Sequence, residues 1–172
     1  GEAYSRNFGG SNWLDQRQLA QAFDDRDPQV LVVGGGQAGL AIAARLGQLE
    51  IDTLVVDKHK RIGDNWRKRY HSLALHNQIH VNHLPYMPFP PTWPKYIPKD
   101  MLANWFEAYA EALQINYWID SEFISGTYDE QGERWKATIR RGKGGHRVMS
   151  PKHIIFANGV SGIPYIPQLQ GL

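Results

Sequence analysis

Three glycines and one acid carry the densest chemical meaning in this chain. Gly34, Gly36 and Gly39 form a Gly-x-Gly-x-x-Gly turn between two apolar runs, and Asp57 closes the second run. Each glycine has its own physical task in such a turn. Gly34 permits the tight bend, Gly36 lets the backbone approach a pyrophosphate, and Gly39 lets helix and strand pack closely. The first N–H groups of the following helix have no intrahelical acceptor, so they present a partial positive charge to phosphates. A carboxylate at Asp57 would accept hydrogen bonds from both hydroxyls of an adenosine ribose and would repel a 2′-phosphate there. The same glycines also suit an α/β turn that binds no nucleotide. The flanking elements decide.

Those elements are the right ones. Gln29-Val30-Leu31-Val32-Val33 is a short β-branched run of the kind buried on both faces of a parallel sheet, and Leu40 to Leu46 reads as helix. Thr53 to Asp57 is a second buried strand, so strand, helix and strand together have the length of a right-handed βαβ crossover. Six of the ten prolines fall between Leu84 and Pro98 among aromatics, which predicts an ordered loop packed on the domain. Asp100 is then expected to cap a helix with apolar positions Leu102, Trp105, Phe106, Tyr109 and Leu113. A β-meander follows at Phe123 to Tyr128, Trp135 to Arg140 and Arg147 to Met149, turning at Gln131-Gly132 and at 142–145. A last buried strand, His153 to Ala157, runs into Asn158-Gly159. The expected fold is a three-layer, Rossmann-like α/β nucleotide-binding domain over residues 29–172, with a parallel sheet crossed by an antiparallel β-meander. Residues 1–28, including a short helix from Asp15 to Phe23, are expected to be a lead-in on its surface.

Composition removes several classes of function. A hydrophobic content of 42% with six Trp supplies a real core, so a disordered chain is excluded. A formal charge of +2 does not mark a nucleic-acid binder. With no Cys, disulfide frameworks, thiolate metal sites and redox dithiols all drop out. No apolar run reaches membrane-spanning length and no signal segment is visible, so the expectation is a soluble, cytoplasmic protein whose true start precedes Gly1. His76, His80 and His83 suggest metal ligands by spacing, yet Pro85 and poor helix formers between them argue against a shared helical face. The basic runs at 58–61 and 67–69 read first as solvated surface, with some contribution to phosphate binding as the alternative. No nucleophile, acid/base pair or oxyanion device is visible. Any chemistry here would belong to a bound cofactor.

The order of these segments resembles the flavin-containing monooxygenases, above all the plant and microbial branch that includes the auxin-forming enzymes. The resemblance runs from residue 29 to 172. It is carried by Gly34 to Leu40, then Val55-Val56-Asp57-Lys58 on to Arg61-Ile62-Gly63-Asp64-Asn65-Trp66. Tyr70 to His76, Leu84-Pro85-Tyr86-Met87-Pro88-Phe89-Pro90 and Phe156-Ala157-Asn158-Gly159 complete it. The resemblance implies FAD on this fold and NADPH on a second one, with O₂ and a small organic substrate as the other reactants. It implies cofactor contacts from Gly34, Gly36, Gln37, Ala38, Gly39, Asp57, Lys58, Trp66, His76, Asn158 and Gly159, with His76 the candidate catalytic residue beside the flavin and no metal. Asp57 replaces the usual Glu, Asp64 stands where a glycine is usual, and Asn158 replaces Thr. No second glycine fingerprint follows within residues 40–172, so the expectation is a chain cut before its NADPH-binding half. Two other readings stay open: a different two-nucleotide flavoprotein, which the lack of Cys opposes, and a truncated non-catalytic nucleotide-binding module.

Overall fold

The computed structural model describes residues 10, 12–142, 144–160, 165–169 and 171. Two short runs of branched apolar residues, β1 (Val30–Val33) and β2 (Thr53–Val56), form its centre. They pair in parallel, with Val30 beside Thr53, and are joined by α2 (Gln37–Gln48), numbered after an earlier helix α1 (Trp13–Ala22). On the far side of β1 lies β7 (His153–Phe156), and on the far side of β2 lies the two-residue β3 (Tyr117–Trp118). The resulting four-stranded parallel sheet has the order β3-β2-β1-β7.

Strand alternation assigns the two faces. Val30, Val32 and Val55 point to one side, where they meet Leu40, Ala43 and Ala44 of α2 and Leu102, Phe106 and Tyr109 of α4 (Lys99–Ala112). Leu31, Leu54 and Val56 point to the other, against Ala137, Ile139 and Met149. Those three belong to an antiparallel sheet of β4 (Ser121–Asp129), β5 (Arg134–Arg141) and β6 (Gly145–Met149). Helices, parallel sheet and meander thus make three layers, as the sequence predicts. A register shift between Phe123 and Ser125 bends β4.

Two local expectations are corrected. Asp100 does not cap α4: the N-cap is Pro98, while Asp100 sits in the first turn and accepts from Lys99 Nζ at 2.7 Å. Nor is the lead-in confined to the surface. Asn12 and Asp15 start α1 with a reciprocal capping box, and no residue of that helix is buried. Yet Phe23, just past its end, is 1% exposed and meets Trp118 edge to face with ring centroids 6.2 Å apart. Trp118 Nε1 donates to the Gln21 carbonyl at 2.8 Å, and Arg147 pairs with Asp27 at 2.8 Å. Residues 1–9 of the lead-in lie outside the described residues.

The proline-aromatic loop is ordered, as expected. Leu84, Phe89 and Ile97 are buried in it, and the Phe89 and Trp93 rings stack at 5.4 Å. Tyr109 donates from α4 to the Pro85 carbonyl at 2.9 Å; burial, with a smaller effect of Tyr86, pushes its pKa up to about 12, so the phenol remains a donor.

Candidate functional site

The glycine turn lies where β1 ends, and each glycine is held against something a side chain would strike. Gly34 has φ +101°, and a Cβ there would stand 2.6 Å from the Ala157 carbonyl oxygen and 2.9 Å from Asn158 Cα. The exit of β7 is therefore pressed directly on the turn. A Cβ on Gly39 would stand 1.9 Å from the Gly34 carbonyl oxygen, so α2 crosses the turn at backbone contact. Gly36 is the N-cap of α2 and offers no side chain to the first N–H groups, which leaves them for an anion. Its nearest neighbour is the amide of Asn65, with Nδ2 3.0 Å from where a Cβ would be.

Asn65 comes from a short helix, α3 (Asp64–Arg67), which α4 holds in place. Gly63 enters α3 at φ +87°, where a Cβ would lie 2.4 Å from the Ala103 carbonyl oxygen. Lys99, buried at the start of α4, donates through Nζ to the Arg67 carbonyl at 3.0 Å. Arg61 and Arg67 both reach Glu107, at 2.5 and 2.9 Å. The hydrogen bond from Arg61 is the main reason the Glu107 carboxyl is held below its ordinary range.

Asp57 leaves the end of β2 and turns back to the glycines. Its Oδ2 accepts the Gly35 N–H at 2.7 Å, and its Oδ1 accepts the His59 backbone N–H at 2.8 Å and contacts the His59 ring Nδ1 at 2.7 Å. Tyr117 reaches the same peptide from β3, its hydroxyl donating to the Gly35 carbonyl at 3.2 Å. Burial, then the charges of Asp57 and Asp64, raise the Tyr117 phenol far above its ordinary range, which keeps it a donor. Gly35 is thus gripped at its N–H by Asp57 and at its C=O by Tyr117. A Cβ at Gly35 would fall 1.6 Å from the Tyr117 hydroxyl oxygen. Gly35→Ala is therefore expected to lower stability by about 1–3 kcal/mol, the usual cost of overpacking. Adding Tyr117→Ala should recover part of that loss, and a strictly additive double mutant in denaturant unfolding would contradict the clash.

The other residues singled out by sequence are placed as follows. Gln37 Nε2 donates to the Asn82 carbonyl at 3.4 Å, which ties the start of α2 to the segment after the 3₁₀ turn Ile79–Val81. Ala38 is exposed in the first turn of α2, and Lys58 is exposed beside Asp57. Trp66 is half-buried and packs partly on the helical core. His76 is exposed in the loop after Leu75, whose N–H donates to the Ile97 carbonyl at 2.9 Å. Asn158 and Gly159 are exposed, and Gly159 takes φ +73° as the chain leaves β7. His83 Nδ1 accepts the Phe89 N–H at 3.0 Å, and among the described residues no group of His, Asp and Glu could hold a metal ion. Sequence reading did not single out Gly35, His59 or Tyr117 as site residues, and it took Asn65 only as part of a matching run. An open hollow of about 510 Å³ between Tyr128 and His153 lies at the opposite end of the parallel sheet from the glycine turn.

Fold and site together define a Rossmann-like domain organised around a dinucleotide-type glycine turn, and the profile of the NAD(P)-binding Rossmann-like domain matches residues 32–90. The chain is 29% identical over 146 residues to the probable indole-3-pyruvate monooxygenase YUCCA4 of Arabidopsis thaliana, covering 84% of this chain and 34% of that protein. It is 35% identical over 138 residues to an uncharacterized CzcO-like oxidoreductase of Geobacillus kaustophilus, covering 80% of this chain and 38% of that one. A solved mutant of a flavin monooxygenase from Stenotrophomonas maltophilia superposes with a TM-score of 0.72 at 25% identity, over 84% of this chain and 42% of its own. Over most of its length the chain is thus similar to part of proteins named as flavin-dependent monooxygenases. It spans about a third of the length of the curated relatives it matches. Among the described residues no helix is long and apolar enough to cross a membrane.

Proposed function

We propose that residues 29–172 hold FAD for an NADPH- and O₂-dependent monooxygenase that acts on a small organic substrate in the cytoplasm. The observation that carries this reading is the cradle at the start of α2. Gly34 and Gly39 leave the backbone bare where a Cβ would collide with backbone atoms, Gly36 faces only the Asn65 amide, and the α2 N-terminus has no side-chain cap. Those residues fit a pyrophosphate. Gly34, Gly36, Gln37, Ala38 and Gly39 would face the phosphates, with Asp57 and Lys58 at the adenosine ribose. Trp66 and His76 would lie towards the isoalloxazine, and Asn158 and Gly159 would close over the cofactor from the end of β7. When bound, the flavin supplies hydride acceptance and oxygen activation. The chain's own part is to orient the cofactor and exclude water. Residues 40–172 contain no second glycine fingerprint, and this reading assigns none of them to NADPH.

Titrating the apo-protein with FAD and with NAD tests the reading. FAD is expected to bind more tightly, and tighter binding of NAD would overturn the assignment. Asp57→Ala is expected to weaken FAD by about 1.5–3 kcal/mol, the range for a hydrogen bond to a charged group. Unchanged affinity in that variant would make Asp57 a purely structural tie between β2 and the glycine turn.

A further inference from the structure

A carboxylate has about four lone-pair positions for hydrogen-bond donors. Three donors already converge on Asp57: the Gly35 N–H on Oδ2, and the His59 N–H and ring Nδ1 on Oδ1. The acid is one methylene shorter than glutamate, and its side chain is only 11% exposed. It cannot take two ribose hydroxyls without giving up a protein donor. With two N–H groups already aimed at the carboxylate, the His59 Nδ1 is the donor in the third contact. A ring that donates through Nδ1 presents Nε2 on its other edge. His59 stays partly open to solvent, at 24% side-chain exposure.

We propose that His59 is a second ribose-binding residue: Asp57 accepts one hydroxyl of the adenosine ribose through Oδ2, and His59 Nε2 bonds the other. The proposal rests on the assignment of this turn to an adenine dinucleotide. It does not depend on the charge state of the imidazole, because a ribose hydroxyl both donates and accepts. The ligand it selects is an adenosine nucleotide with both ribose hydroxyls free. The chain assigns the two contacts to two side chains where one longer acid would supply both.

Binding measured by calorimetry tests this with FAD, ADP, 2′-deoxy-ADP and 3′-deoxy-ADP on the wild-type chain and three variants. His59→Ala is expected to weaken FAD and ADP about five- to ten-fold, as for one lost hydrogen bond. It should also erase the wild-type preference for one of the two hydroxyls while leaving the preference for the other. His59→Asn places an amide near Nδ1 but nothing at Nε2, so it should behave like alanine. His59→Gln places an amide near Nε2 and should retain part of the discrimination. Full rescue by His59→Asn, or equal discrimination of the deoxy-nucleotides by wild type and His59→Ala, would overturn the proposal and leave His59 a positioning residue for Asp57. A wild-type chain that binds neither FAD nor ADP would instead overturn the functional reading, and the ribose assignment with it. Unchanged thermal midpoints of the variants without ligand show that the comparison is of folded proteins. Should His59→Ala fail to fold, His59→Asn and His59→Gln carry the same comparison.

Discussion

Gly39→Ala is expected to lose about 3 kcal/mol of stability and about 100-fold in FAD affinity together. The new Cβ would lie 1.9 Å from the Gly34 carbonyl oxygen, a backbone atom that cannot rotate away, and 3.5 Å from Val32 Cγ1. Relief requires α2 to lift off the end of β1. That motion places the cost at the upper end of the overpacking range of about 1–3 kcal/mol. It also carries the first N–H groups of α2 away from the phosphates they would hold, and a loss of about 2.7 kcal/mol in binding is 100-fold. Gly47 provides the control within the same helix. Nothing lies within 4 Å of a Cβ there, so Gly47→Ala should hold or raise stability by about 0.5–1 kcal/mol through helix propensity. Thermal unfolding and FAD titration of the two variants decide it. Wild-type behaviour of Gly39→Ala in both would show that the turn is not at backbone contact.

Phe23→Ala is expected to cost about 3–5 kcal/mol, the range for emptying a buried aromatic site. Phe23 is 1% exposed, and its ring fills the space between Trp118 and the inner face of the meander. The Arg26 guanidinium lies 3.9 Å from the centre of the same ring, so the loss removes a cation–π contact as well. Leu19, on α1 itself, is 71% exposed, and Leu19→Ala should change stability by no more than about 0.5 kcal/mol. Urea unfolding of both variants separates a lead-in that belongs to the core from one that only lies on it. A Phe23→Ala protein as stable as wild type would mean that residues 12–28 are dispensable to the fold.

The elements legible in the sequence are those whose signal is local. β1 and β2 are short runs of branched residues, apolar but for Thr53, flanked by turn signals, as expected for strands buried on both faces. The turn signals at Gly132 and Gly142 bound the meander strands to within one or two residues. β3 leaves no local signal because Tyr117–Trp118 is too short to show a period, and it exists as a strand only through its parallel pairing with Val55 and Val56. The start of α4 departs from its local signal for a related reason. Asp100 has the chemistry of a cap, but Pro98 already fixes the backbone there, and the Asp100 carboxylate goes to Lys99.

By itself the sequence determined the βαβ frame, the three glycines of the turn and the acid at the end of β2, because each is dictated within a few neighbouring residues by sterics or by strand period. The tertiary structure alone decided what surrounds them. Tyr117 clamps Gly35 from 82 positions away, Asn65 stands over Gly36 through a helix held by α4, and Phe23 closes the core from the lead-in. The orientation of Asp57 was likewise settled by folding, since its carboxylate could face a ribose, solvent or the chain. Gly35 lies across the crossover and His59 just past the strand. They turn it inward because a largely buried carboxylate takes whatever N–H donors the packed backbone brings within reach. No local pattern of residue types records which donors those will be.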